Sequence, residues 1–409
     1  MASHLRHYLS HYFALHPTTE MKEMFWATAV RSFAVSAVGV FEPIYLYQLG
    51  ISIQGILLFY IAHYLGYLIL TPLGGRICRK HGYEQTILLS SPFLILYYVA
   101  LFAIPQSLSF MGIALLALVI HKILYWPSFH ANFATWLNSE ESGREVSNRF
   151  AITATASALA PFVGAVIVVM FGFGALFVIA SIMVLLSNLP LLRTPEFFLP
   201  TKFSYSASVK RFVAGFGSNR FWAMFGFGEQ LVSLVLWPIF IVIMIPNLLS
   251  VGALVSLAKF VDVLITLYVG RLSDEDRQDN VLHSGTIFTA ASWLLRPIVT
   301  GPLGIFLIDS YYRVSRNMIV VPYFSYMYKD AKNDGIMASV VFNEMSLAIG
   351  KITMATMALV AFWLVPNHAW SVVFVLAAGL TATYSFMPFS DTWKRRQVAA
   401  PAAVEHPGG

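Results

Sequence analysis

Residues 150–192 read FAITATASALAPFVGAVIVVMFGFGALFVIASIMVLLSNLPLL, a stretch without one Asp, Glu, Lys, Arg or His. About 20 apolar residues of α-helix cross roughly 30 Å of hydrocarbon. This run has room for two crossings. Gly172 and Gly174 interrupt it near its middle, so it reads as helices over 150–171 and 174–192 joined by a tight turn.

The rest of the chain agrees. Its 409 residues are 58% hydrophobic and 11% charged, with a mean hydropathy of +0.70. Soluble domains carry about 25% charged residues. A chain so poor in charge cannot clothe a water-facing surface of this size. That excludes a soluble enzyme, a disordered protein and an ordinary DNA-binding domain. Strands are excluded because open sheet edges are not tolerated in lipid. The single cysteine, Cys78, excludes an internal disulfide framework. Residues 1–23 are polar and His-rich, and the apolar stretch that follows is too long for the core of a secretory signal.

Twelve segments read as crossings: 24–48, 52–73, 84–104, 108–135, 150–171, 174–192, 220–246, 250–271, 282–300, 303–326, 336–364 and 368–389. Pro43, Pro127, Pro161, Pro238 and Pro322 interrupt some of them; neighbouring helices can satisfy the backbone groups this frees. Of the 26 Lys and Arg, 19 fall in the N-terminal arm, the alternate loops and the C-terminal tail. The opposite loops contain none. The positive-inside rule then places both termini in the cytoplasm of a plasma-membrane protein, the inner membrane if the source is bacterial. The same asymmetry explains the net charge of +6 without any nucleic-acid partner.

The longest loop splits the chain six crossings and six. The expected organisation is a cytoplasmic arm (1–23), an N-terminal six-helix bundle (24–192), a linker (193–219) with a short surface helix near 206–213, a C-terminal bundle (220–390) and a disordered tail (391–409). Four residue pairs recur at an offset of 195: Pro43 and Pro238, Gly75 and Gly270, Pro127 and Pro322, Asn148 and Asn343. They fall at matching places in the two halves, which argues for a duplicated unit. The fold class is therefore an all-α polytopic membrane protein, with twelve transmembrane helices in two pseudo-symmetric six-helix bundles. Parallel repeats of this kind belong to transporters with a midplane site.

Twelve ionisable side chains lie inside the expected crossings: Arg31, Lys122, Lys259, Arg296, Arg313, Arg316 and Lys351, with Glu42, Glu229, Asp262, Asp309 and Glu344. Each costs about 2.5–3.5 kcal/mol at a helix centre, so they must face one another or a wet cavity. Asp309, Arg313 and Arg316 stack on one face of the tenth segment. Lys259 with Asp262, and Glu344 with Lys351, read as flanking charge pairs. The excess of basic groups suits an anionic or carboxylate-bearing solute. Glu229, or Asp262 beside Lys259, is a candidate carrier of a coupling proton, as are His63 and His121. The bland reading is that the charges only neutralise one another and lock helices together. His4, His7 and His11 fit an interfacial amphipathic helix better than a metal site. No zincin spacing, cysteine cluster, P-loop or nucleophile elbow appears, so neither metal nor cofactor is expected. The eight tryptophans from Trp26 to Trp370 mostly fall near segment ends, as an aromatic belt would.

Two short motifs complete the reading. GRICRKHGYE follows the second segment and GRLSDEDRQD follows the eighth. They resemble the Gly-x-x-x-Asp-Arg-x-Gly-Arg loop of the major facilitator superfamily. Gly75, Lys80 and Gly82 match in the first copy, with Arg79 where that family has an aspartate. Gly270 and Asp274 match in the second, which lacks the later glycine. SALAPFVGA in the fifth segment is similar to the Gly-Pro-x-x-Gly-Gly motif of exporter branches, matching at Pro161 and Gly164.

This resemblance implies that the paired loops gate the cytoplasmic side. It also implies that the first, fourth, seventh and tenth helices line the cavity. Arg31, Glu42, His121, Lys122, Glu229, Asp309, Arg313 and Arg316 fall on those four. The expected function is secondary active transport of a small solute, an organic anion or zwitterion, by a monomer using alternating access and a proton gradient. The rivals are a multidrug exporter of the same fold, an intramembrane lipid-modifying enzyme and a non-transporting sensor.

Overall fold

In a bilayer every backbone N–H and C=O must be satisfied within its own segment, and helix is the outcome along the whole chain. The structure, a computed structural model, describes residues 19–137, 142–193, 196, 198, 200–274 and 278–387, among which there is no strand. His4, His7, His11 and the tail from 388 lie outside the described residues, as do the side chains of Gly270 and Asp274.

The first crossing is α1 (Thr19–Gly39) and α2 (Phe41–Gln48), broken just before Pro43. Next come α3 (Ile53–His81), α4 (Tyr83–Ala103) and α5 (Ser109–Trp136). The stretch that opened the sequence reading forms most of α6 (Ser142–Ala158) and α7 (Ala160–Leu186). It reverses at Gly172, whose φ of +81° suits a residue without a Cβ. A short helix, α8 (Tyr205–Gly215), lies in the linker, capped by the Ser204 side chain.

The seventh crossing is the least regular. It runs through α9 (Asn219–Phe225), a 3-10 turn (Gly226–Glu229), a π-helical turn (Val232–Leu236) and α10 (Trp237–Met244). Then follow α11 (Leu248–Asp274), α12 (Gln278–Leu295), α13 (Gly301–Asp334), α14 (Ile336–Leu364) and α15 (Ala369–Ala382). Nine stretches among the described residues are long and apolar enough to cross a membrane. One of them, Asn148–Leu192, has 45 residues and contains the Gly172 reversal. Two further long helices, α12 and α13, are more polar, α13 because it carries Asp309, Arg313 and Arg316. This is consistent with twelve crossings.

Packing repeats between the halves. The third crossing packs on the fourth, the second on the fourth, the first on the fifth and the third on the sixth. Advancing each number by six gives the pairs that build the other half: ninth on tenth, eighth on tenth, seventh on eleventh and ninth on twelfth. The extensive contacts between halves are the second crossing on the eleventh and the fifth on the eighth. The same shift exchanges these two, as a pseudo-twofold relation requires. Pro127 lies inside α5 and Pro322 inside α13, at equivalent depths.

Large apolar side chains face outward, among them Leu58, Phe171, Leu264 and Trp363. In water such a surface would aggregate; in a bilayer it meets acyl chains. The charged groups turn inward. Arg31, Glu229, Arg296, Asp309, Glu344 and Lys351 are all buried.

Candidate functional site

The C-terminal half holds an ion cluster walled by aromatic rings. Arg313 reaches back one turn of α13, its Nε donating to Asp309 Oδ2 at 2.8 Å. Arg316 Nε donates across to Glu229 Oε1 at 3.2 Å. Glu229, fully buried, also accepts from Trp293 Nε1 at 3.1 Å, Tyr312 Oη at 2.8 Å and Tyr384 Oη at 3.4 Å. Asp309 accepts from Trp237 Nε1 at 3.1 Å. The two indoles form one side of a cage. Their rings lie 3.9 Å (Trp237) and 3.8 Å (Trp293) from the Arg296 guanidinium carbon, with the Tyr312 ring at 4.8 Å. Each tryptophan thus presents its π face to a cation and its N–H to an anion. The 3-10 and π turns around Glu229 set its carboxylate among these donors, and irregular turns of this kind recur at functional sites.

The junction of the halves is different in character. Lys122 Nζ, on α5, and Lys351 Nζ, on α14, each donate to Tyr64 Oη on α3 at 3.2 Å. Neither lysine has a carboxylate within ion-pair distance among the described residues. Lys259 on α11 reaches Ser36 on α1, another link between halves, while Asp262 accepts from Asn317 Nδ2 at 2.5 Å. His63 lies beside this group, its ring 4.7 Å from that of Tyr64 and its two nitrogens without a hydrogen-bond partner among the described residues.

In the N-terminal half Glu42 is held by two phenols, Tyr60 Oη at 2.6 Å and Tyr97 Oη at 2.5 Å. Arg31 stacks on the Tyr125 ring, 4.0 Å from its centroid. Its Nη2 donates to His121 Nε2 at 3.2 Å. An arginine can only donate, so His121 carries its proton on Nδ1 and donates it to Ser90 O at 3.0 Å. Arg31 and Glu42 lie on either side of the break between α1 and α2 and form no ion pair.

One end of the molecule carries most of the remaining charge, and there the halves are tied by polar contacts. Glu344 on α14 accepts from Tyr67 Oη on α3 at 2.8 Å and lies 3.4 Å from His130 Nε2 on α5. Tyr328 Oη on α13 lies 2.6 Å from His130 Nδ1. Lys332 on α13 reaches the carbonyl of Leu137 at the end of α5. Nearby, Arg220 spans Asn343 and Asp330 at 2.9 Å each.

At the turn between α3 and α4, where Arg79 stands at the aspartate position of the motif, a carboxylate arrives from elsewhere in the chain. Glu196, from the linker, accepts from the backbone N–H groups of Tyr83 (2.6 Å), Glu84 (3.1 Å) and Gln85 (3.3 Å). A carboxylate at a helix N-terminus satisfies orphan donors and favours the helix dipole. Arg79 donates instead to Thr201 Oγ1 at 2.6 Å and Tyr83 Oη at 2.8 Å, so it straps the linker down. Gly82, at φ +106°, leaves the space that the Glu196 carboxylate fills. Gly75 faces Val341 and Met337 of α14 across the junction, and Lys80 is exposed. Gly164 packs on the Ala37 carbonyl, and the Pro161 carbonyl packs on Gly252 of α11.

Of the residues singled out from sequence, the fold joins Asp309 with Arg313, Glu229 with Arg316, and Arg31 with His121. Lys259 and Asp262, and Glu344 and Lys351, form no direct ion pair with each other, though in each pair the charges act on one another. Sequence reasoning missed the neutral partners, Tyr60, Tyr64, Tyr67, Tyr97, Tyr312, Trp237 and Trp293. Their only sequence signal is that a Tyr or Trp buried in a crossing needs an acceptor for its polar hydrogen.

Two six-crossing bundles related by a pseudo-twofold, with their charges turned inward, define the architecture of a secondary transporter. The chain belongs to the Major Facilitator Superfamily, whose family model matches residues 24–352. Two solved structures share its fold. The human organic anion transporter MFSD10 (TETRAN) is 14% identical with a TM-score of 0.61, covering 90% of this chain and 98% of that one. The E. coli fucose:proton symporter FucP is 13% identical with a TM-score of 0.64, again covering 90% and 98%. No curated protein matches the chain by sequence.

Proposed function

We propose that the protein is a secondary active transporter of a small organic anion or zwitterion, working by alternating access between its two bundles. One observation carries this reading: Lys122 and Lys351, from opposite halves, share a single phenolic oxygen, and neither forms an ion pair among the described residues. Two ammonium groups each 3.2 Å from one oxygen lie no farther apart than the sum of those contacts and repel by roughly 3 kcal/mol or more at an effective dielectric of 20. A bound anion relieves that repulsion and draws the halves together, so binding energy is tied to closure. Arg313 and Arg316 spend Nε on their carboxylates. Their terminal N–H forks remain for a second acceptor group on the solute. The organic anions of MFSD10 are in keeping with this chemistry.

Coupling to protons follows a similar logic. Glu229 balances Arg316, so protonating it would strand a buried cation. Glu42 accepts from two phenols and forms no ion pair among the described residues, so it can gain a proton without breaking one. FucP offers a proton-coupled precedent for the fold. In this reading the termini and the basic loops face the cytoplasm, the bundles span 24–192 and 220–390, and the protein acts as a monomer in the plasma membrane.

The test is uptake of radiolabelled mono- and dicarboxylates into proteoliposomes, with and without an inward proton gradient. Parent protein should accumulate an anion, Lys122→Gln and Lys351→Gln should each lose at least about tenfold in uptake, and Glu42→Gln should abolish the gradient dependence. Uptake indifferent to both lysines would end the assignment.

A further inference from the structure

Arg31 belongs to a second place in the molecule. Its neighbours Ser91 and His121 lie on α4 and α5, and α4 packs extensively only within its own half. Arg31 therefore sits inside the N-terminal bundle, apart from the lysines at the junction. It is 6% exposed and has no carboxylate partner among the described residues.

It also lines a crevice. Between the first, third, fourth and sixth crossings a small opening reaches the surface, lined by Arg31, Thr28, Tyr125, Phe129, Ser187 and Asn188. Thr28 is in the third turn of α1, and Ser187 and Asn188 end the sixth crossing, so the mouth lies near the basic end of the bilayer. Its surroundings suit a lipid more than water. Trp26 is 68% exposed and Leu192 62%. Lys22 and Arg193, two residues in sequence from the lining Met24 and Leu191, are exposed too. Tryptophan and basic side chains at this depth are the usual neighbours of headgroups.

We propose that this crevice binds the anionic headgroup of a lipid from the basic-side leaflet, the phosphate meeting the Arg31 guanidinium, the Thr28 hydroxyl and the Asn188 Nδ2 amide, whose Oδ1 is held by Ser91. A buried, uncompensated arginine is costly, and a phosphate supplies the charge and the acceptors it lacks. The apolar rings of Tyr125 and Phe129 line the same opening and can cover glycerol and upper acyl carbons. The site acts on the bundle that Arg31, Ser91 and His121 hold together, so its occupancy stabilises that bundle whatever the cargo.

The test uses the full chain purified in neutral detergent, with native mass spectrometry counting retained phosphatidylglycerol and phosphatidylcholine. Parent protein should hold phosphatidylglycerol roughly tenfold more tightly, the effect of one charge-assisted contact. Arg31→Gln should hold both lipids equally. Thr28→Leu fills the mouth but keeps the guanidinium, so it should lose the anionic lipid as well, and it decides the matter if Arg31→Gln does not fold. Lys122→Gln should bind phosphatidylglycerol like the parent, which separates this site from the transport site. Equal retention by parent, Arg31→Gln and Thr28→Leu would overturn the proposal. So would thermal stabilisation by inorganic phosphate or glycerol 3-phosphate that matches the lipid's and vanishes in Arg31→Gln, since the ligand would then be a soluble anion.

Discussion

His130 Nε2 on α5 lies 3.4 Å from Glu344 Oε1 on α14, a buried contact between the two halves near their basic end. With Tyr67 and Tyr328 it forms a polar latch in a surface that is otherwise Cys78, Met337 and Val341 packed together. A contact made in one conformation and lost in another sets the balance between them.

Cys78 reports on that balance. It is the only cysteine in the chain and is fully buried against α14 residues. In Glu344→Gln the latch loses its charged acceptor, and Cys78 should react about tenfold faster with a membrane-permeant maleimide, the factor that about 1.4 kcal/mol supplies. An unchanged labelling rate would mean that the halves are held by apolar packing alone.

Glu229 and Arg316 should behave as a coupled unit. Neutralising the carboxylate alone, in Glu229→Gln, leaves a buried arginine unpaired and should cost about 3–5 kcal/mol. Neutralising both, in Glu229→Gln with Arg316→Gln, should cost less than the sum of the single changes. Melting curves of the four proteins in one detergent give the coupling. Additive effects would show that Trp293, Tyr312 and Tyr384 carry the carboxylate without the arginine.

Tyr64→Phe removes the acceptor shared by two lysines. It should lower thermal stability by about 1–3 kcal/mol in the absence of an anion. An anionic substrate should recover much of that loss, since it offers the ammonium groups another acceptor. Thermal shift with and without an added carboxylate measures both.

Close backbone approach makes a pair of glycines opposite in behaviour. Gly350 faces the backbone of Phe225, leaving no room for a Cβ, whereas Gly379 has open space around it inside α15. Gly350→Ala should destabilise by about 1–3 kcal/mol, and Gly379→Ala should stabilise by up to about 1 kcal/mol through helix propensity. Melting temperatures moving the same way would mean that the seventh and eleventh crossings are not in backbone contact.

Glu196→Ala tests the carboxylate at the start of α4. Losing the cap on α4 should cost about 1 kcal/mol and should free the linker between the bundles, which limited proteolysis would detect as faster cleavage near residue 200.

The membrane class, the reversal at Gly172 and the two-fold repeat were legible in sequence, because hydropathy and glycine chemistry are local properties. The offset shared by Pro127 and Pro322 held for the same reason: each marks a place in its own helix. Partner choice was not legible. Lys351 is seven residues from Glu344 on one helix, yet each turns to a different neighbour on α3, Tyr64 for the lysine and Tyr67 for the acid.

Sequence alone therefore determined how often the chain enters the bilayer and which charges it carries inside, since the insertion cost of a side chain depends on its own chemistry and its distance from a helix end. Tertiary structure alone decided that Glu229 meets Arg316, that Arg31 meets His121, and that Glu196 caps α4. Those contacts join residues dozens or more positions apart, and only the packing angles of whole helices bring them within hydrogen-bond reach.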